Sequence, residues 1–143
     1  DGFQKTVIVN KAIAASTADY LVFTDGDTLH CPWYLAQTAQ MAQAGRFLCG
    51  SLLRLDAAAS AGVDVEKALS KEVFGRSFLS SSGVITGLTS WLKTAPLTFV
   101  ASDVLDRVWP IRTTFNGANA SCWRTDAVRV NGFDNEMRYG GLD

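Results

Sequence analysis

Hydrophobic and polar residues alternate along this chain in a way that marks out helices and strands in turn. Val9, Ala12, Ile13 and Ser16 fall at i, i+3, i+4 and i+7, which predicts an Ala-rich helix over Lys5 to Ser16, with Val7-Ile8-Val9 leaving a strand start open there. Tyr20-Leu21-Val22-Phe23-Thr24 is a continuous apolar run, the pattern of a strand covered on both faces, and it stops at Asp25-Gly26-Asp27. Pro32 suits the first turn of a helix whose apolar face would be Leu35, Ala39 and Ala42, with Gly45 as its C-terminal cap. Arg46 to Leu55 reads as the next strand. Leu97 to Ala101 and Ala118 to Trp123 are further strands, and Thr125 to Asn131 a short helix closed by Gly132.

Between Asp56 and Pro96 the pattern weakens. Asp64 is placed to cap a short helix through Ser70, and Val84, Leu88, Trp91 and Leu92 suggest another apolar helical face. With no linker composition on either flank, 56–96 is expected to be a helical insertion lying over the sheet rather than a separate domain. The succession helix, strand, carboxylate loop, helix, strand predicts an α/β fold, with the polar loop at the carboxyl end of its strand, where open α/β sheets bind ligands.

Composition narrows the function. In 143 residues, 48% hydrophobic and 19% charged, there is room for one domain with a buried core. A net charge of −1 leaves no basic excess for a phosphate backbone, which argues against nucleic acid as a partner. No apolar stretch approaches the roughly 20 residues of a membrane span, and no signal-peptide pattern opens the chain. Cys31, Cys49 and Cys122 lie far apart without a C-x-x-C pair, so free buried thiols are expected rather than disulfides. His30 beside Cys31 lacks the second pair that a zinc site needs.

Asp25 and Asp27 carry the most chemical information. In an extended segment, positions i and i+2 point to one side, and two neighbouring carboxylates resist ionisation unless a cation lies between them. Mg²⁺ or Mn²⁺ suits such oxygen donors and keeps open positions for substrate phosphates. Gly26 removes a side chain where a nucleotide would press on the backbone. The other reading, equally open from these residues alone, is a solvated Asp-Gly turn. A haloacid-dehalogenase-like phosphatase motif is disfavoured, because its Thr lies four residues after the first Asp and Thr28 lies three after Asp25.

A second cluster, Phe115-Asn116-Gly117-Ala118-Asn119-Ala120-Ser121-Cys122-Trp123-Arg124, offers small residues and amides around a short strand, a composition suited to binding hydroxyls but also to a plain strand edge with turns. Asn131-Gly132-Phe133-Asp134 and Tyr139-Gly140-Gly141-Leu142-Asp143 follow. Together with Asn10-Lys11-Ala12-Ile13-Ala14-Ala15-Ser16 and Asp25-Gly26-Asp27, and in this order, these segments resemble family 2 glycosyltransferases of the GT-A fold. The resemblance covers nearly the whole chain outside the Asp56 to Pro96 region.

That resemblance implies a GT-A-like mixed sheet flanked by helices and a metal-dependent, inverting transfer of sugar from a nucleotide-diphosphate donor to an acceptor hydroxyl on a glycan, polysaccharide or lipid-linked sugar. Asp25 and Asp27 match the Asp-x-Asp metal motif, the second being the direct ligand of Mn²⁺ or Mg²⁺. Asn10, Lys11 and Asp25 would meet the nucleotide, and Asn116, Gly117, Asn119 and Trp123 the donor or acceptor sugar. Gly140-Gly141-Leu142-Asp143 is similar to a Gly-Gly-Glu-Asp motif whose last carboxylate is the general base, making Asp143 the catalytic candidate, with Asp134 and Glu136 as alternatives. Trp109 flanks the second cluster, and Trp33 and Trp91, like it, suit either a sugar face or a core. Arg107, Arg112 and Arg124 are open to phosphate, acceptor or a salt bridge.

The resemblance also implies that 143 residues form the central part of a larger domain, with weak or no activity in isolation. The expected location is cytoplasmic, with any membrane association made through segments outside these residues. A non-catalytic nucleotide- or sugar-binding module with the same fold is the alternative from a different functional class.

Overall fold

A computed structural model describes residues 4–94 and 114–136. The chain divides into two compact units, one built from Asp1–Gly50 with Thr113–Asp143 and one from Ser51–Arg112. The second is wider than the insertion expected at 56–96. The strand expected at Leu97 to Ala101 lies outside the described residues.

The first unit is mixed α/β. Helix α1 (Lys5–Ala15) takes the segment where a strand start had been open, burying Thr6 and Ile13 with Val9 half-buried between them, while Ala12 faces outward. Strand β1 (Tyr20–Thr24) follows, then α2 (Tyr34–Met41) and β2 (Phe47–Cys49). Strand β3 (Asn119–Trp123) arrives after the second unit and leads directly into α7 (Arg124–Arg129). The strand order is β1-β3-β2, with β3 antiparallel to both neighbours. β1 and β2 therefore run the same way, separated by a reversed strand.

Four expectations need correction. The β1 run is not covered on both faces: Leu21 and Phe23 are half-buried and join the core, while Val22 stays 37% exposed. The strand expected over Arg46 to Leu55 shortens to β2, because β3 begins at Asn119 and the ladder ends where Gly50 N–H donates to the Asn119 carbonyl at 2.9 Å. Helix α2 does not bury Leu35, which is 67% exposed; its buried residue is Thr38, so a polar position packs where the periodicity suggested Leu35 and Ala39. Of the three free cysteines, only Cys122 is buried, whereas Cys31 is half-buried and Cys49 exposed.

The core of this unit lies between the sheet, α1 and α7. Ile13, Cys122 and Ala127 form its buried centre, surrounded by Val9, Leu21, Phe23, Phe115 and Phe133. Phe115 stands edge-on to Phe23 at 5.3 Å and to Phe133 at 5.4 Å, and Phe47 adjoins it at 5.4 Å. Such edge-to-face pairs add about 0.5–1.5 kcal/mol each beyond their buried area. Arg124 Nε donates to the Ile13 carbonyl at 3.1 Å, and Gly45 N–H donates to Asp126 at 2.8 Å, so α7 is tied to both α1 and the turn before β2.

Asn10 closes this unit over a long sequence distance. Its amide nitrogen donates to the Phe133 carbonyl at 2.7 Å and to Asn135 Oδ1 at 2.9 Å, and its amide oxygen accepts from Phe133 N–H at 2.8 Å. The neighbouring Gly132 sits at φ +68°, and a Cβ there would collide with the Asn10 amide. Both backbone conformation and contact therefore demand glycine.

In the second unit, Asp56 and Asp64 each cap a helix, accepting from Ala59 N–H and Lys67 N–H at 2.7 Å. These begin α3 (Ala57–Ala61) and α4 (Val65–Leu69). A 3₁₀ turn (Glu72–Phe74), α5 (Arg76–Ser81) and α6 (Leu88–Lys93) follow. Ala59, Val73 and Leu79 are buried, and the Arg76 guanidinium lies 4.9 Å from the Trp91 ring centroid. No helix among the described residues is long and apolar enough to cross a membrane.

Asn10→Ala should destabilise the protein by about 1–3 kcal/mol, the range for leaving backbone groups of a packed turn without partners. Equilibrium denaturation in urea measures this. Gly132→Ala should produce a loss in the same direction, and the double variant should lose less than the sum because both changes break one contact.

Candidate functional site

β1 delivers the carboxylate pair to the end of the sheet. Thr28 N–H donates to the Asp25 carbonyl at 3.2 Å, so Asp25-Gly26-Asp27-Thr28 is a tight turn and not an extended segment. Strand alternation therefore does not set Asp25 and Asp27 on one side. Asp25 is half-buried, and its Oδ1 lies 2.6 Å from the Lys5 ammonium at the start of α1. Asp27 is exposed. A Cβ on Gly26 would meet nothing within 4 Å, so space lies open over the middle of the turn.

The second cluster reaches the same end. Asn119 pairs with Thr24 in the β1–β3 register, which sets the residues before Asn119 beside the residues after Thr24. Asn116 shapes that approach: its side-chain oxygen accepts from Ala118 N–H at 2.9 Å and its carbonyl from Asn119 N–H at 3.0 Å, the Asx pattern that turns a chain into a strand. Gly117 and Asn119 are buried. A third segment joins them, because Gly50 bonds to Asn119 and a Cβ at Gly50 would strike the Asn119 amide.

Not every expected residue comes to this place. Trp123 lies opposite Tyr20, at the other end of β3. Four residues at about 3.3 Å each separate it from Asn119 by roughly 13 Å. Its ring is edge-on to Tyr20 at 5.3 Å, and its indole N–H is buried with no hydrogen-bond partner among the described residues. Asn10 spends its amide on Phe133, and Lys11 is exposed on α1. Asp134 accepts from Glu136 N–H at 2.9 Å, and both acids are exposed. Asp143, Trp109, Arg107 and Arg112 lie outside the described residues. Trp33 is exposed, Trp91 belongs to the second unit, and Arg124 is engaged with Ile13.

Three residues at the site were not legible in sequence. Lys5 read only as the start of a helix, and Gly50 fell inside the longer strand expected there. His30, weighed above only as a zinc ligand, stands behind the carboxylate turn: its Nε2 is 2.7 Å from the Thr24 hydroxyl, and its ring stacks on Tyr34 with centroids 4.1 Å apart. Burial lowers the His30 pKa from its ordinary value. Among the described residues, no group of three or more His, Cys, Asp and Glu side chains is gathered to hold a metal ion.

No family model, curated protein or solved structure matches this chain.

The lowered His30 pKa fixes the sign of a pH effect. The folded state favours the neutral ring, so its contribution to stability is complete above about pH 6.5, the ordinary value. It is lost as pH falls below that point, because the unfolded chain takes the proton more readily. Melting temperature should therefore drop more steeply between pH 7 and pH 5 in the wild type than in His30→Gln. Parallel slopes would show that His30 contributes nothing to this dependence.

Proposed function

We propose that the chain carries the donor end of a metal-dependent, inverting glycosyltransferase of the GT-A type, acting on a nucleotide-sugar and an acceptor hydroxyl. One observation carries the reading: the carboxylate turn after β1, the Asn116–Asn119 approach to β3 and Gly50 after β2 converge on one end of the sheet. Both ladders of the described sheet are antiparallel, so it is not itself the mixed sheet expected of that fold, and the reading rests on the convergence at its end.

A divalent ion would have one free carboxylate here, Asp27, because Asp25 is paired with the Lys5 ammonium; Mg²⁺ or Mn²⁺ can use a single carboxylate with water and phosphate completing its shell. Bound there by Asp27, with Asp25 beside it, the ion would supply Lewis-acid stabilisation to a departing diphosphate. The open face of Gly26 gives the donor room to approach the turn backbone. Of the neighbouring segment, the half-buried Asn116 would meet sugar hydroxyls, while Gly117 and Asn119 are themselves buried. By the motif resemblance alone, Asp143, which lies outside the described residues, is assigned as the base: its carboxylate takes the acceptor proton as the acceptor oxygen bonds to the anomeric carbon and the bond to the diphosphate breaks. Direct displacement inverts that centre.

Titration with a nucleoside diphosphate, with and without Mn²⁺, tests the assignment. Asp27→Ala should lose the Mn²⁺-dependent part of binding, a weakening of tenfold or more, worth about 1.4 kcal/mol. Gly26→Val should weaken nucleotide binding to a similar degree at unchanged melting temperature, since the side chain enters open space. Asp143→Ala should bind normally and fail to transfer. Metal-enhanced binding retained in Asp27→Ala would remove the site, and full turnover in Asp143→Ala would move the base to Asp134 or Glu136. Binding without transfer in the wild type would favour a non-catalytic binding module.

A further inference from the structure

The Thr24 hydroxyl has two polar neighbours and one proton. Its Oγ1 lies 3.2 Å from the Asp25 carbonyl oxygen and 2.7 Å from His30 Nε2. A carbonyl oxygen only accepts, so the hydroxyl proton goes to Asp25, and the shorter contact is then a hydrogen bond only if His30 Nε2 carries the ring proton and donates it. Both contacts are satisfied together by one tautomer of the neutral ring, with the proton on Nε2 and the lone pair on Nδ1.

This tautomer gives the hydrogen bonds one direction. His30 Nε2–H donates to Thr24 Oγ1, and Thr24 O–H donates to the Asp25 carbonyl, which also accepts from Thr28 N–H at 3.2 Å. The ring is itself held, because it stacks on Tyr34 with centroids 4.1 Å apart and 12° between the planes. Tyr34 is the first residue of α2, and its N–H donates to the Cys31 carbonyl at 2.9 Å. One imidazole therefore joins the end of β1, the turn and the start of α2. The middle of the turn, Gly26 and Asp27, is exposed.

We propose that His30 is a positioning residue that, as the Nε2–H tautomer, holds the Asp25–Thr28 turn in shape through the Thr24 hydroxyl. Its consequence for ligand binding rests on the reading of that turn as part of a donor site; the hydrogen-bond chain itself does not.

Nitrogen-15 NMR of the imidazole in the full chain, at a pH where the ring is neutral, reads the tautomer and should find Nε2 protonated and Nδ1 bare. Hydrogen exchange of the Thr28 amide reads the turn without any ligand. Thr24→Val keeps the side-chain shape and removes the hydroxyl, so Thr28 exchange should accelerate about three- to fivefold, the weight of one exposed hydrogen bond, while the β3 amides keep their rates. His30→Ala should do the same. Thr24→Ser and His30→Gln, which retain a hydroxyl and an N–H donor, should restore wild-type exchange, a rescue that mere loss of packing would not show. Affinity for a nucleoside diphosphate should fall in Thr24→Val and return in Thr24→Ser. An Nδ1–H tautomer, or Thr28 exchange unaltered in both Thr24→Val and His30→Ala, overturns the role of His30. A wild type that binds no nucleoside diphosphate while the exchange pattern holds overturns the donor reading alone.

Discussion

The pairing of β3 between β1 and β2 is the constraint on which the first unit depends. Ala120 and Ser121 are 1% exposed, and the strand hydrogen-bonds along both edges. Tyr20 and Ser121, whose hydroxyls meet at 3.1 Å, are 101 residues apart in sequence, so the loop-closure entropy of a long intervening segment must be overcome before the ladder forms. What overcomes it is collective: two ladders, the apolar centre of Ile13, Cys122 and Ala127, and the phenylalanines that pack on it. The register then decides the chemistry. With Thr24 opposite Asn119, the turn at Asp25 and the approach at Asn116 are neighbours; a slip of one residue would turn every β3 side chain to the other face.

The same packing joins the core to the site. Phe23 is two residues before Asp25, Phe115 directly precedes Asn116, and Phe133 follows Gly132; their rings meet in one cluster. Each anchors a polar segment, so the turns that would meet a donor rest on rigid aromatic contacts even though they are loops. Asn10 secures the Phe133 end with three hydrogen bonds, and His30 secures the Thr24 end. The polar residues held most tightly here support the site from behind. Asp27, on the turn itself, is exposed.

Much of the fold was legible in the residues, for identifiable reasons. The Tyr20–Thr24 strand announces itself by five successive strand-forming residues ending at Asp-Gly-Asp, and the helix after Asp64 by a capping carboxylate that forms the expected bond. Helix α1 was legible because Ala12, Ala14 and Ala15 favour helix over the competing Val7-Ile8-Val9. Burial on α2 was not, since periodicity names an apolar face without saying which neighbours will cover it, and here Thr38 is covered instead of Leu35. The site was half legible. Asp25 and Asp27 stood out by chemistry, and the Asn116–Asn119 segment by its small and amide residues. Lys5, Gly50 and His30 did not, because each matters only through a contact: an ion pair across 20 residues, a backbone approach to Asn119, and a hydrogen bond to Thr24. Trp123 was chosen for its neighbours in sequence, and the strand carries it to the far end of the sheet.

The central claim is that one end of this sheet gathers the carboxylate turn, the Asn116–Asn119 approach and Gly50 around a divalent ion. Paramagnetic broadening of backbone amide resonances by Mn²⁺, in the presence of a nucleoside diphosphate, measures it directly. Gly26, Asp27, Gly117, Asn119 and Gly50 should broaden together at low metal, while the Trp123 indole N–H at the far end of β3 stays sharp. Broadening centred on Trp123, or spread evenly with no preference for the Asp25–Asp27 turn, would contradict the account.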